Sequence, residues 1–501
     1  MTAPADTGPV AADMRRYQLI IDAQHAEAAS GQRFSSVDPF LGAPWATAAD
    51  GDGRDVDRAV AAARSALAGP WGALSGFGRA RLMRRLADIL ARDADQLAEV
   101  ETRDTGKLLR EMRGQLTAIP DWFYYFAGLA DKLEGTTIPS DKANFLVYTR
   151  REPAGVVAAI VPWNSPLLLL SWKLAPALAA GCTVVAKPSD YSPASAVELA
   201  DRMAEAGFPP GVFNVVTGFG PAVGKALAAH PDIDKIAFTG STAVGAEVAK
   251  AAGGNITGVL LELGGKSAHL VFEDADLDAT CNGVLAGVFA ATGQTCMAGS
   301  RLLVQRRVHD ALVARIVDRA GSIRLGDPRA AETEMGPIAT EPQYRKVLSF
   351  FESAAAQGAT VAAGGAADQR LGGYFVQPTV LTGVTPDMTV ASEEVFGPVL
   401  AVLPFDTEDE ALSLANSSRY GLAGAVWTKD IHRGHRVAHA LRAGTVWINA
   451  YRVVGPDVPF GGFGISGIGR ENGIDAVREY TQTKSVWVEL SGGTRDPFTL
   501  G

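Results

Sequence analysis

The sequence predicts an α/β protein built from two doubly wound domains, and three observations carry that prediction. Between Val156 and about Val271, short β-branched runs alternate with helical ones, the mark of parallel βαβ units. A second alternation follows Cys296, from "RLLVQ" through "VLAVLPF" and "LAGAVWTK" to "GTVWINA". Two strand-like pieces, "ANFLVYTRREP" and "YTQTKSVWVEL", fit neither pattern. The length of 501 residues agrees, because domains usually hold roughly 100–200 residues.

Each element has its own warrant. An Asp start signal and helical apolar spacing put a helix from Asp55 to about Ala68. Residues 79–107 read as one long amphipathic helix. "VVAAIVP", "CTVVAKPS", "VFNVVTG" and "KIAFTGS" read as strands, with "LLLLSWKLAPALAAG", "SAVELADRMAEAG" and "AVGKALAAHP" as the helices between them. "VHDALVARIVDRAG", "YRKVLSFFESAAAQG", "DEALSLANSS" and "HRVAHALRAG" are the helices of the second region. The two outlying strands are poor folding units alone, so they pair with each other or with another subunit.

Composition narrows the function classes. A net charge of −9 without a basic block speaks against nucleic acid, whose phosphates need a basic face. Cys182, Cys281 and Cys296 are an odd set without CxxC spacing, which suits a reducing cytoplasm better than a disulfide framework. The first 18 residues read as a loose polar tail, not a secretory signal. The apolar run 166–186 is long enough to span a membrane. Lys173, Pro176 and Gly181 interrupt it, however, and it splits into a buried helix and a buried strand. No membrane partner is expected.

Several motifs can carry chemistry. Gly218, Gly220 and Gly224 in "GFGPAVG" follow a strand and open a helix, as do Gly240, Ser241 and Gly245 in "FTGSTAVG". Unpaired amides at a helix start bind phosphate, and glycine lets it come close. Ser241 also suits a plain N-cap. Lys187 and Asp190 lie past a strand's carboxyl end, where open sheets bind ligands. In "VPWNSP", the Asn164 amide can donate to an oxyanion. In "LLELGGKS", Glu262 ends an apolar stretch; desolvation there raises a carboxyl pKa and suits a general base. Cys296, in "GQTCMAGSR", is either an inert buried thiol or a nucleophile. His432, His435 and His439 share a helix face, but no Cys, Asp or Glu completes a metal set, so no metal is expected.

Taken together, "PWNSP", "LELGGKS", "GQTCMAGSR", "EEVFGP" and "PFGGFGISGIGRE" resemble the aldehyde dehydrogenase superfamily, in order and spacing, over about residues 20–490. The resemblance implies a Rossmann-like cofactor domain (1–133 and 153–264), a catalytic domain (265–479) and a small β oligomerisation element (134–152 and 480–501). It implies Cys296 as nucleophile, Asn164 with the Cys296 N–H at the oxyanion, and Glu262 activating the water that hydrolyses a thioester. Hydride passes to a nicotinamide, so the cofactor is NAD or NADP. Lys187 and Asp190 are expected at the adenosine ribose and Ser241 at the diphosphate. Glu394 is expected at the nicotinamide ribose with Phe396 nearby, and Trp163, Gly220, Gly240, Gly245 and Leu263 lining the cleft. Asp190 stands where Glu is common; either carboxylate repels a 2′-phosphate and favours NAD.

Other departures concern the substrate. Ser165, Ala290 and Val454 stand where relatives carry aromatic rings, while Trp172 and Tyr451 remain and Thr295 and Met297 flank the cysteine. Small side chains widen the pocket, which predicts a bulky or polar-substituted aldehyde: aromatic, heterocyclic or semialdehyde. Arg452 is a candidate for a substrate carboxylate, or a solvated residue at the tunnel mouth. Gly464, where Lys is common, has no functional account. The resemblance also implies a homodimer or homotetramer. The rivals are a CoA-acylating relative, a non-catalytic binding or structural relative, and an α/β thiol hydrolase without nucleotide. Glu262 argues against the first, the intact Cys–Glu–Asn set against the second, and "FTGSTAVG" against the third.

Overall fold

Continuous apolar runs bounded by glycine become the central strands of two parallel sheets, buried on both faces. The computed structural model describes residues 14–493 and 496–498. The first sheet has eight strands. Their order is Gly467–Ile468, Gly258–Glu262, Lys235–Thr239, Val156–Ile160, Thr183–Lys187, Phe213–Val215, Leu19–Ile21 and Gln24–Ala26. The five from Gly258–Glu262 to Phe213–Val215 are parallel, and the flanking ones antiparallel. From Val156–Ile160 the chain winds outward to Phe213–Val215, then returns to Lys235–Thr239 on the other side. Such a reversal opens a ligand crevice at the carboxyl ends of the two strands.

The second sheet has seven strands: Thr360–Ala363, Thr379–Thr382, Val399–Phe405, Arg301–Gln305, Ala268–Val271, Ala423–Trp427 and Thr445–Ile448. All pairs are parallel except the edge pair of Thr360–Ala363 with Thr379–Thr382. The two outlying strands do pair with each other. Phe145–Pro153 runs antiparallel to Thr481–Glu489 along its whole length, and Thr137–Ile138 adds a third strand.

The apolar run 166–186 forms the helix Pro166–Ala180 and the strand Thr183–Lys187, with all but Leu168 of the helix buried. No helix among the described residues is long and apolar enough to cross a membrane.

Several elements differ from expectation. The first helix is Gly53–Ala68: Asp52 is its N-cap and Asp55 closes a capping box. The single helix expected over 79–107 is two, Gly76–Arg92 and Ala94–Thr105, broken at Asp93. Arg202 Nε lies 3.0 Å from the Asp93 carboxylate, so a tertiary ion pair fixes the bend. Of the tail expected over the first 18 residues, 1–13 lie outside the described residues. Arg15–Tyr17 is not loose: it pairs in parallel with Ala43–Ala49, and Tyr17 is buried. Residues 467–468, grouped with the second domain by resemblance, extend the first sheet, with Glu262 opposite Gly467.

Candidate active site

The Cys296 loop follows a tight turn, Ala290–Gly293, in which Ala291 and Thr292 take left-handed φ of 52° and 56°. That strain is held from outside. The Thr292 hydroxyl donates to Gly336 O at 3.1 Å, and Ala291 N–H donates to Glu111 Oε1 at 3.2 Å. Gly293 has φ +68°, and a Cβ there would lie 2.2 Å from Gly397 O, so the turn requires glycine. A Cβ on Gly265 would lie 2.6 Å from Cys296 O, so the cysteine loop rests directly on the "LELGG" segment. The Tyr451 hydroxyl braces the far side, donating to Met297 O at 2.7 Å. Cys296 itself is partly exposed. Burial, then the charges of Glu262 and Glu394, push its thiol up to about 12, against the backbone N–H of Met297.

Asn164 follows the strand Val156–Ile160 and is buried. Its Nδ2 donates to Gln294 O at 2.9 Å, two residues before Cys296. The amide carries two protons, so one stays available for an oxyanion. Gln294 is itself fixed, accepting from Ala339 N–H at 2.9 Å.

Glu262 ends the strand Gly258–Glu262, buried, with neither carboxylate oxygen hydrogen-bonded. A Cβ on Gly461 would lie 2.7 Å from its Oε1, so glycine there keeps the carboxylate clear. Nearby, the fully buried Lys173 pairs with Glu471 and donates to Thr239 Oγ1 at 2.6 Å. One lysine faces two buried carboxylates. Burial, then Glu471, therefore holds the Glu262 pKa well above the carboxylate range, against Lys173 and Arg470.

The cofactor candidates gather at the switch-point crevice. Lys187 ends its strand, buried, 3.8 Å from Asp190 Oδ1. Ser241 caps the helix Thr242–Asn255, accepting from Val244 N–H at 3.4 Å. Gly240 N–H donates to Glu262 O at 3.0 Å. Gly245 packs on Leu263, whose Cδ2 would be 2.4 Å from a Cβ there. Gly220 is exposed at the start of a π-turn, Gly220–Gly224, that leads into the helix Lys225–Ala229. The Trp163 and Phe396 rings meet edge-on, centroids 5.3 Å apart, across the mouth. Glu394 faces the glycines after Glu262: Gly265 N–H donates to its Oε1 at 2.9 Å, and a Cβ on Gly264 would lie 2.3 Å from Oε2. A buried lysine with a distant carboxylate, open helix amides and a Cβ-free cradle fit a dinucleotide.

The substrate candidates are more polar than expected. Ser165 does not simply vacate space. Its Oγ accepts from Lys107 Nζ at 2.7 Å and donates to Gln115 Oε1 at 3.3 Å. Trp172 stacks on Trp122 at 6.1 Å and meets Phe460 edge-on at 5.2 Å, its indole N–H unpartnered. The Thr295 hydroxyl is likewise buried without a partner. Ala290 opens the strained turn, and Met297 and Val454 pack against both adjoining cores. Arg452, with φ +64°, donates to Ala286 O at 3.0 Å. His432, His435 and His439 lie exposed on the helix Ile431–Ala440.

Sequence reasoning missed Lys173, Glu471, Lys107, Glu111 and Gln115. A lysine inside an apolar helix was a usable signal for Lys173, but its partner is remote in sequence.

A parallel switch-point crevice that meets a cysteine loop and an unpaired buried glutamate defines a nucleotide-dependent oxidoreductase. The chain belongs to the aldehyde dehydrogenase family, whose model matches residues 25–486. It is 45% identical over 491 residues to (Z)-2-((N-methylformamido)methylene)-5-hydroxybutyrolactone dehydrogenase of Acinetobacter baylyi, covering 97% of this chain and 100% of the relative. It is 45% identical to human mitochondrial aldehyde dehydrogenase over 479 residues, 94% of this chain and 92% of that one. Among solved structures, betaine aldehyde dehydrogenase of Staphylococcus aureus in complex with NAD+ superimposes with TM-score 0.95 at 40% identity, covering 96% of each chain. The NAD+ complex of Bacillus cereus aldehyde dehydrogenase gives 0.93 at 45%, covering 95% of this chain and 97% of that one.

Proposed function

We propose that the protein oxidises a polar-substituted aldehyde to its carboxylic acid, with NAD as cofactor and water as acyl acceptor. The observation that supports this reading is that the Asn164 amide ties to Gln294 O, two residues before Cys296, while the Glu262 carboxylate, free of hydrogen bonds, is close enough for its charge to act on the Cys296 sulfur.

The Cys296 sulfur, once deprotonated, adds to the carbonyl carbon. The spare Asn164 proton and the Cys296 N–H hold the resulting oxyanion; a donor of this kind contributes about 3–4 kcal/mol in other enzymes. Bound NAD supplies the hydride acceptor. Lys187, Asp190, Ser241 and Glu394 would hold it, with Trp163 and Phe396 at the mouth. Glu262 then takes a proton from water, whose oxygen attacks the thioester and releases the acid and the thiol. A base with both oxygens free supports water over CoA.

The substrate class rests on Ser165, Lys107 and Gln115, which make the pocket wall polar. The similar dehydrogenase of a hydroxybutyrolactone supports the heterocyclic option. Three free cysteines suit a cytoplasmic setting. Apolar side chains on the three-stranded sheet, with Trp487 56% and Leu146 43% exposed, support a homodimer or homotetramer through that sheet.

The test is NADH formation from NAD and an aldehyde panel without CoA. Cys296→Ala abolishes it if the reading holds; full turnover by that variant refutes it. NAD at 100 times its Kd raises stability by about 2.7 kcal/mol, and NADP at the same concentration by less.

A further inference from the structure

Five polar side chains gather along the Cys296 loop, and their hydrogen-bonding capacity is not used up. Lys107 precedes the helix Leu109–Ala127, which presents Glu111 and Gln115 one turn apart on one face. Lys107 is buried, and of its three protons one goes to Ser165 Oγ. Gln115 accepts from Ser165 through Oε1, while its buried Nε2 has no partner. Glu111 accepts from Ala291 N–H through Oε1, while its buried Oε2 has none. Arg452 closes the group from the opposite segment, on a left-handed residue that ties one guanidinium nitrogen to Ala286 O. Glu111 holds the turn that leads into Cys296, and Ser165 adjoins Asn164, which ties to Gln294 O, so the group borders the Cys296 loop; the charges of Glu111 and Arg452 act on Lys107.

Resting on the aldehyde dehydrogenase reading above, we infer that Lys107, Glu111, Gln115, Ser165 and Arg452 recognise an oxygen acceptor carried by the substrate a few bonds from its aldehyde: a carboxylate, or the carbonyl of an amide or lactone. Glu111 and the buried Glu101 both act on Lys107, so two carboxylates match the two cations, and the open capacity lies in donor protons without acceptors. The unpartnered Gln115 amide adds a neutral donor to these. Burying such donors is costly unless something accepts from them. A hydrocarbon tail would leave them stranded, whereas an acyl oxygen satisfies them. The Glu111 Oε2 is then free to accept from a hydroxyl or N–H on the same substituent.

The experiment measures NADH formation by the full-length enzyme with butanal, its ω-carboxylate (succinic semialdehyde) and the corresponding ω-carboxamide. A site built around donors rejects the analogue that lacks the acceptor, so kcat/KM for at least one acceptor-bearing aldehyde exceeds that for butanal by about 100-fold or more. Gln115→Leu raises KM for the preferred aldehyde about tenfold, changing kcat and the butanal value much less. Lys107→Met weakens the carboxylate more than the carboxamide, which separates the charged from the neutral acceptor. NAD-dependent thermal stabilisation, retained in each variant, shows that the fold survives. Butanal oxidised as well as both acceptor-bearing aldehydes overturns the inference and leaves the dehydrogenase reading intact. So does a variant that lowers all three substrates equally. NADH from none of the three, nor from any aldehyde of the wider panel, overturns both.

Discussion

Glu262 has two buried carboxylate oxygens with no hydrogen-bond partner and a neighbouring Glu471 that repels its charge. As the proposed general base, Glu262 would work only when deprotonated. Its raised pKa therefore places the rise of acyl release above the ordinary carboxylate range, with the step fast at high pH and lost as pH falls. Glu471→Gln removes the repulsion, so that limb moves to lower pH, as single-turnover pH profiles will show. Glu262→Gln still forms the acyl enzyme but slows its release by about 10²–10⁴-fold. Mass spectrometry of the enzyme mixed with aldehyde and NAD then finds the adduct on Cys296. These three catalytic candidates were legible because each sits in a short motif punctuated by glycine or proline. Lys173 was visible only as an interruption of an apolar run, since its role depends on Glu471, almost three hundred positions away. Ser165 was read as a small residue, and its partners Lys107 and Gln115 are set by packing that no local pattern announces.

At the scale of elements, loops place the chemistry and buried polar ties hold the loops. Gly293 shows the first point. Gly293→Ala drives a Cβ toward Gly397 O at a left-handed φ, displacing the Cys296 loop. A displacement of about 1 Å is enough to lower kcat about 10²-fold while circular dichroism stays unchanged. Asp104 shows the second. Its carboxylate accepts from Ser36 Oγ at 2.5 Å, Trp45 Nε1 at 3.0 Å and Ala194 N–H at 3.0 Å. It thereby joins the strands Arg33–Asp38 and Ala43–Ala49 to the helix Ala194–Ala206. Asp104→Ala strands three donors and costs roughly 3 kcal/mol, measured by chemical denaturation. Central strands and long helices were legible because burial imposes a period on them. The break at Asp93 was not, because both flanking segments keep helical spacing and the bend is fixed by Arg202 from another helix.

For the whole molecule, the three-stranded sheet leaves Phe145 and Trp487 in edge-on contact, 37% and 56% exposed. The proposed assembly through this sheet predicts that Trp487→Glu lowers the mass measured by light scattering, with NAD binding preserved in the smaller species. A different consequence follows from the two residues Gly467–Ile468. They leave the second half of the chain to hydrogen-bond onto the first sheet at Leu261 and Glu262, and Ser466 secures Leu263 and Gly264 beside them. The two sheets are therefore joined at the very strand that bears the proposed base. A wide hinge opening would unzip that junction and discard the geometry of Glu262. An opening that keeps Glu262 in place is thus confined to side chains and loops around that strand.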